Sequence, residues 1–262
     1  MAWENDKNWE SFKEKWLRKS GIDLNLYKPA QMHRRINNFM ERAGTNDYDK
    51  FLAMIGADKD LYHAFLEHLT INVTEFFRTP EKFDDLEKII VPELLKKNPK
   101  LRIWSAGCST GAEPYSLAMM LNDMTPGVAH RILATDLDTE MLAKAKAGGP
   151  YAPNEVKNLP PARIKNYFTL VNDGYMVKDE IKHKIELKQH NLLKDRFETG
   201  FNLILCRNVV IYFTEEAKDK LYRNFFAALK EGGVLFVGGT EAIMNFRDMG
   251  YTQIRPFFYQ KH

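Results

Sequence analysis

The chain has 262 residues, of which 44% are hydrophobic, and its 38 basic and 35 acidic side chains give a formal net charge of +3. This length allows one large core and a smaller accessory domain, and so small a charge gives no reason to expect nucleic-acid binding. No segment approaches about 20 consecutive apolar residues and the first residues lack a signal-peptide pattern, so we expect a cytoplasmic protein without direct membrane insertion. Neither the two cysteines, Cys108 and Cys206, nor the seven histidines show the spacing of a metal site, and no metal is predicted.

The first part of the chain is predicted to be a small all-helical domain, because apolar residues recur at three-to-four spacing over residues 8–70. Its charge is unevenly distributed: residues 13–42 carry eight basic side chains against three acidic ones, and residues 43–77 carry two against six. Gly21, Gly44 and Gly56 are predicted helix stops. We assign this domain to residues 1–79 and a linker helix to residues 80–98.

From Leu101 onward, predicted strands alternate with predicted helices, which indicates a mostly parallel sheet. The fold class is therefore α/β, with a Rossmann-like domain over residues 99–262. The expected strands are 101–105, 130–135, 202–206, 233–238 and a final one near 254–260, and the expected helices are 112–123, 138–147 and 215–230. Proline-rich sequence interrupts this order at residues 149–189, where we expect an inserted β-subdomain with a hairpin formed by the runs 174–178 and 181–188.

A glycine-containing turn follows the first predicted strand, in the sequence Ala106-Gly-Cys-Ser-Thr-Gly-Ala-Glu-Pro-Tyr-Ser116. Gly107 and Gly111 let the backbone turn tightly and approach a ligand. The glycine spacing differs from that of dinucleotide enzymes, and no lysine follows to hold phosphate, which disfavours NAD and ATP. Glu113 would repel a pyrophosphate but suits the amino group or hydroxyls of an adenosyl ligand, so S-adenosylmethionine is the predicted cofactor.

The ends of the other strands carry further candidate ligands, because parallel strands place their carboxyl ends at one edge of a sheet. Asp136 is preferred over Asp138 as the acceptor for ribose hydroxyls, and residues 189–192 suit an adenine edge. Arg207, Asn208 and Tyr212 follow the strand 202–206. Structural roles remain open: Asp136 could cap a helix, Asn191 could close a turn, Arg207 could pair with a surface acid and Tyr212 could pack.

Together, three motifs resemble the CheR family, the bacterial chemotaxis protein-glutamate O-methyltransferases. They are Thr70-Ile-Asn-Val-Thr-Glu-Phe-Phe-Arg78, the 106–116 turn and Cys206-Arg-Asn-Val-Val-Ile-Tyr-Phe213. The resemblance covers nearly the whole chain and implies methyl transfer from S-adenosylmethionine to glutamates on the cytoplasmic helices of chemoreceptors, with S-adenosylhomocysteine as product. At the matching positions it implies a cofactor site formed by Asn72, Thr74, Arg78, Gly107, Glu113, Asp136, Asn191, Leu192, Arg207 and Asn208.

The expected catalytic residues are Tyr212 and Arg78, which would orient the substrate carboxylate; Arg78 could instead hold the cofactor carboxylate. Arg34, Arg35 and Arg42, on a predicted helix over 29–43, would dock acidic receptor helices. The enzyme is expected to act as a monomer recruited to membrane receptor arrays by the receptors themselves, and the short 169–177 turn favours one that needs no receptor-tail peptide. The alternatives are a methyltransferase with another acceptor, including nucleic acid, a non-catalytic receptor-binding regulator and, more distantly, a nicotinamide dehydrogenase.

Overall fold

The computed structural model describes residues 7–69, 74–172 and 174–262, and the chain separates into two compact units. The first unit contains the chain up to residue 72 together with Tyr212–Asp219, and the second contains residues 73–211 and 220–262. Among the described residues, no helix combines the length and the hydropathy that a membrane span requires.

Helices make up most of the first unit: α1 (Lys7–Ser20), α2 (Pro29–Arg42), α3 (Tyr48–Ala57) and α4 (Lys59–Leu69). Their apolar faces bury a core of aromatic side chains, which include Trp9, Phe12, Trp16, Phe51 and Phe65. The predicted all-helical character is therefore confirmed, and its cause is the three-to-four spacing of these side chains.

One predicted helix stop in this unit is displaced by one residue, since α3 ends at Ala57. Gly21 and Gly44 adopt positive φ values of 72° and 80° just beyond α1 and α2, as helix-ending glycines do. Gly56, however, lies inside α3. The boundary is set instead by Asp58, whose Oδ1 accepts hydrogen bonds from the Asp60 and Leu61 N–H groups and caps α4.

A segment distant in sequence completes the first unit. Tyr27 pairs with Phe213 in an antiparallel bridge, the Lys28 N–H donates to the Tyr212 carbonyl at 2.9 Å, and the Thr214 N–H donates to the Leu26 carbonyl at 3.0 Å. These backbone hydrogen bonds place Tyr212 with the helical residues, although it follows a strand of the second unit in the chain.

The second unit begins with a helical stretch made of α5 (Pro80–Asp85), a π-helical turn (Leu86–Ile90) and α6 (Val91–Lys97). This stretch matches the helix predicted over residues 80–98. The π-helical turn ends two residues before Pro92, which has no N–H to continue the α-helical ladder.

The central sheet has seven strands: β1 (Arg102–Ala106), β2 (Arg131–Asp136), β5 (Ile185–Gln189), β6 (Phe201–Cys206), β7 (Leu229–Val237), β8 (Tyr251–Arg255) and β9 (Phe258–Lys261). Their order is β5-β2-β1-β6-β7-β9-β8; the first five run parallel, and β9 is antiparallel to both β7 and β8. The helices α7 (Ala112–Met124), α8 (Thr139–Ala147) and α11 (Glu215–Ala228) alternate with these strands. The predicted α/β fold is confirmed, and the ends of the five parallel strands share one edge of the sheet.

Two strand predictions are wrong. The two-stranded sheet pairs β3 (Phe168–Val171) with β4 (Gly174–Val177), whereas the 181–188 run divides into the end of the short helix α10 (Asp179–Lys182) and β5, which pairs with β2. Alternating hydrophobicity fits either pairing equally, so the pattern alone could not choose the partner strand. The single strand predicted near 254–260 is the β8–β9 hairpin, interrupted by Pro256 and by Phe257 at a φ of +75°.

Candidate functional site

The turn after β1 is fixed to the end of β2 by backbone hydrogen bonds. The N–H groups of Gly107 and Cys108 both donate to the Thr135 carbonyl, at 2.8 and 2.9 Å. Gly107 has a φ of +82°, and a Cβ there would lie 2.5 Å from Cγ2 of Val209, while Gly111 has a φ of +91° immediately before α7. Both predicted glycines therefore stand where a side chain would be strained.

Asp136, at the end of β2, binds this turn through one carboxylate oxygen and its own loop through the other. Its Oδ2 accepts from the Ser109 N–H at 2.7 Å, and its Oδ1 accepts from the Asp138 N–H at 3.0 Å. Asp138, not Asp136, caps α8, since it accepts from the N–H groups of Glu140 and Met141. Burial raises the pKa of the Asp136 carboxyl.

Glu113, in the first turn of α7, joins two buried side chains. The Ser105 hydroxyl donates to Oε1 of Glu113 at 2.8 Å, and the guanidinium of Arg207 lies 3.3 Å from Oε2. The same guanidinium stacks against the ring of Phe236, 4.6 Å from its centroid. Burial lowers the pKa of Arg207, which is 8% exposed, and the neighbouring Glu113 carboxylate acts in the opposite direction.

Arg207 also holds the loop that carries Arg78. One guanidinium nitrogen donates to the Arg78 carbonyl at 2.8 Å and to the Thr79 hydroxyl at 3.2 Å. Phe77 and Thr79, on either side of Arg78, have φ values of +48° and +64°, which non-glycine residues seldom adopt. Earlier in this loop, the Thr74 hydroxyl donates to that of Ser109 at 3.2 Å. Predicted residues from three distant motifs therefore meet beside the glycine turn.

The remaining predicted cofactor residues are placed differently. The side-chain oxygen of Asn191 accepts from the Leu193 N–H at 3.0 Å and thus closes a turn, as one interpretation of the sequence expected. Leu192 is buried, and this loop is tied to the β2 edge by the His190 N–H, which donates to the Asp136 carbonyl at 2.9 Å. Asn72 lies outside the described residues.

Tyr212 and the predicted docking arginines belong to the first unit. On α2, Arg34 is exposed, whereas Arg35 is half-buried and its guanidinium donates to the carbonyl of His68 at the end of α4. Arg42 is exposed and lies 3.0 Å from the ring Nδ1 of the same histidine. Arg35 therefore ties α2 to α4, and Arg34 is the arginine more available to a partner.

Sequence reasoning missed several side chains that organise this edge of the sheet. Ser105 was unmarked because it lies inside a buried strand, and the role of Ser109 depends on its backbone N–H. Glu241 accepts hydrogen bonds from the N–H groups of Asn208, Val210 and Gly238. Glu241 lies shortly after β7, and residues that follow strand ends are expected at the ligand site of an α/β sheet, so the sequence offered a signal for it.

The chemistry of the site suits S-adenosylmethionine. Asp136 offers the hydrogen-bond acceptors that ribose hydroxyls require, and Asp136 and Glu113 place two carboxylates by the turn, which disfavours a pyrophosphate and favours a cationic sulfonium ligand. The pKa of the Cys108 thiol, within the turn, is raised by burial and further by the nearby carboxylates of Asp136 and Glu113. Among the residues that the structure describes, none is a hydrogen-bond partner of the buried Thr110 hydroxyl oxygen. The strand order of the central sheet and the glycine turn after β1 are typical of a nucleoside-binding domain of the methyltransferase type, and this is the class of the second unit.

Comparison with known proteins places the chain within that class. The family model "CheR methyltransferase, SAM binding domain" matches residues 72–255, and "CheR methyltransferase, all-alpha domain" matches residues 7–70. The chemotaxis protein methyltransferases of Listeria innocua and Listeria monocytogenes are each 40% identical over 257 residues, 98% of this chain and 98% of theirs. Chemotaxis protein methyltransferase 1 of Pseudomonas aeruginosa is 36% identical over 241 residues, 87% of either chain. The chain belongs to the CheR methyltransferase family and is an S-adenosylmethionine-dependent methyltransferase, which confirms the predicted family and cofactor.

Proposed function

We propose that the protein transfers a methyl group from S-adenosylmethionine to side-chain carboxylates of glutamates on the cytoplasmic helices of chemoreceptors. The products are glutamate methyl esters and S-adenosylhomocysteine, and the role is chemotactic adaptation. The observation that carries the proposal is the hydrogen-bonded connection from the carboxylate-lined turn through Arg207 to the Arg78 loop. The names of the relatives support an acceptor within the chemotaxis system.

The reaction makes modest chemical demands on the protein. When bound, S-adenosylmethionine supplies a methyl group activated by a sulfonium. A glutamate side chain, with an ordinary pKa of about 4.3, is already ionised at neutral pH, so the acceptor needs no general base. The protein's task is to align and desolvate the acceptor, and orientation of this kind is worth up to about 7–11 kcal/mol in favourable systems.

The residues of the second unit divide this task. Asp136 would accept hydrogen bonds from the ribose hydroxyls, while Glu113 and Asn208 would contact the amino-acid portion of the cofactor. Asn191 and Leu192 would border the adenine, and Thr74 would support the glycine turn through Ser109. Arg207 is buried against Phe236 and shared between Glu113 and the Arg78 loop, which favours a supporting role for it.

Arg78 and Tyr212 are the proposed catalytic residues. The Tyr212 hydroxyl and the Arg78 guanidinium would orient the acceptor carboxylate, and Asn72, although outside the described residues, would assist at the cofactor. Replacing Tyr212 with Phe removes the hydroxyl and little else, so kcat should fall while the Kd for S-adenosylhomocysteine stays near the wild-type value. Unchanged turnover would remove this hydroxyl from the mechanism.

The basic surface of α2 is the proposed docking face for an acidic receptor helix. Arg34 and Arg42 are exposed there, and Arg35 contributes charge from a half-buried position. Attraction between such surfaces accelerates association and is screened by salt. Methylation should therefore slow as ionic strength rises. We propose that the enzyme works in the cytoplasm as a monomer that the receptors recruit.

A direct test incubates the protein with S-adenosylmethionine labelled in the methyl group and a chemoreceptor cytoplasmic fragment. Mild base treatment then separates esters, which release volatile methanol, from stable methylated amines. Base-labile label on the fragment supports the proposal. Cofactor binding without transfer to the fragment would redirect it towards another acceptor or towards a non-catalytic receptor-binding role.

A further inference from the structure

Glu241 is a buried carboxylate that binds two different loops. It is 4% exposed, and its Oε2 accepts hydrogen bonds from the N–H groups of Asn208 at 2.6 Å and Gly238 at 2.8 Å. Its Oε1 accepts from the Val210 N–H at 2.9 Å. One side chain thus satisfies N–H groups from the turn after β6 and from the end of β7, which would otherwise be buried without partners.

The local backbone explains why a carboxylate is needed here. Asn208 has a φ of +60°, in the left-handed region, so the turn at residues 207–210 requires outside support. A Cβ on Gly238 would collide with the Glu241 carboxylate, so the glycine makes room for it. The backbone of Glu241 is itself fixed, since its carbonyl accepts from the Tyr222 hydroxyl at 3.2 Å. Burial raises the pKa of Glu241, and the N–H groups that it accepts act in the opposite direction.

We propose that Glu241 is a positioning residue for methyl transfer, which holds the 207–210 turn in the conformation that presents Asn208 to the cofactor. The inference rests on the proposed cofactor role of Asn208. Val210 also begins the short helix Val210–Tyr212, so the same carboxylate sets the start of the segment that leads to the proposed catalytic tyrosine. Glu241 touches neither the cofactor nor the acceptor in this scheme and acts through the turn alone.

The test compares Glu241→Gln with the wild-type protein. A glutamine amide keeps the shape of the side chain but turns one acceptor into a donor that faces an N–H group, so at least one hydrogen bond is lost. Misplacement of such supporting groups can cost about tenfold to a hundredfold in rate. We expect kcat to fall by about tenfold or more and the Kd for S-adenosylhomocysteine to rise several-fold. The matched control is Asn202→Ala at the opposite end of β6, where the buried Asn202 side chain accepts from the Arg102 N–H at 2.8 Å.

The control should lower the melting temperature while leaving kcat and Kd within about twofold of the wild type. If Glu241→Gln folds and keeps both constants within this range, or if the control loses as much activity, the proposal is wrong. Hydrogen exchange in the wild-type protein gives a second test: slow exchange of the Asn208 and Val210 amides supports the proposal, and rapid exchange contradicts it. Because the Kd requires no acceptor, it tests Glu241 even if receptor methylation itself is not observed.

Discussion

The ion pair between Arg207 and Glu113 should behave as a coupled unit, and a double-mutant cycle can measure the coupling. The Arg207 side chain is only 4% exposed and that of Glu113 is 18% exposed. Removing one partner of a buried pair typically costs about 3–5 kcal/mol, because the other charge is left without its counter-ion. We expect Arg207→Met to cost about 3–4 kcal/mol, towards the low end of that range, since Glu113 keeps its Ser105 hydrogen bond and some contact with water.

Removing both charges should cost less than the sum of the two single changes. Glu113→Gln alone should cost about 3–5 kcal/mol, because its amide can still accept from Ser105 but the more deeply buried Arg207 guanidinium loses its counter-ion. In Arg207→Met/Glu113→Gln no charge is left unpaired, so the coupling should offset about 1–2 kcal/mol of the summed loss. Arg207→Lys, which retains the charge but not the forked geometry, should lie between the wild type and Arg207→Met.

Urea unfolding followed by circular dichroism gives the four free energies of unfolding in the cycle. Calorimetry with S-adenosylhomocysteine on the same variants shows whether the pair also supports cofactor binding, which should weaken in both single variants. Additivity of the two single changes within about 0.5 kcal/mol would refute the view that the two charges depend on each other.

Three further predictions concern separate parts of the molecule. Burial lowers the pKa of His190 below its ordinary 6.5, so the folded state binds the proton less well than the unfolded state does. The free energy of unfolding should therefore decline as the pH falls below about 6.5. Thermal melts at several pH values should show a less steep decline for His190→Phe than for the wild type. Gly107→Ala should destabilise the protein by about 1–3 kcal/mol and weaken cofactor binding, because Gly107 has a φ of +82° and the new Cβ would meet Val209; a denaturation midpoint matching the wild type would contradict this. Arg34→Glu should slow methylation of a receptor fragment and reduce its salt dependence without lowering the melting temperature. Arg35→Glu should have the same kinetic effect and should also lower the melting temperature, because it breaks the contact with His68. Unchanged kinetics in both variants would exclude the docking face.

Periodicity predicted most of the fold because burial imposes it directly. Repeats of 3.6 residues marked the helices of the first unit, and alternation of strand and helix marked the parallel sheet. What failed was the choice of partner for short strands: β5 alternates in a way that suits a hairpin as well as the main sheet, and only three-dimensional packing separates the two. Likewise, backbone hydrogen bonds place Tyr212 in the first unit, and side-chain patterns do not report such bonds.

The candidate site could be predicted where its residues follow strand ends. Glu113, Asp136 and Arg207 were all found in this way, and the structure links them to the glycine turn or to one another. Ser105 supports the site from within a buried strand and gave no comparable signal, because a buried polar residue is distinguished by its partners rather than by its neighbours in sequence. Glu241 was missed although it follows the end of β7, where residues of the site are expected.

The most direct test of the proposed activity is mass-spectrometric mapping of the methyl group on a receptor cytoplasmic fragment, incubated with S-adenosylmethionine and either the wild-type protein or Tyr212→Phe. We expect a gain of one methyl on glutamate side chains within the fragment's helices, lost on mild base treatment and much reduced with the variant. Methylation confined to lysine, cysteine or a terminal amine, or resistant to base, would contradict it.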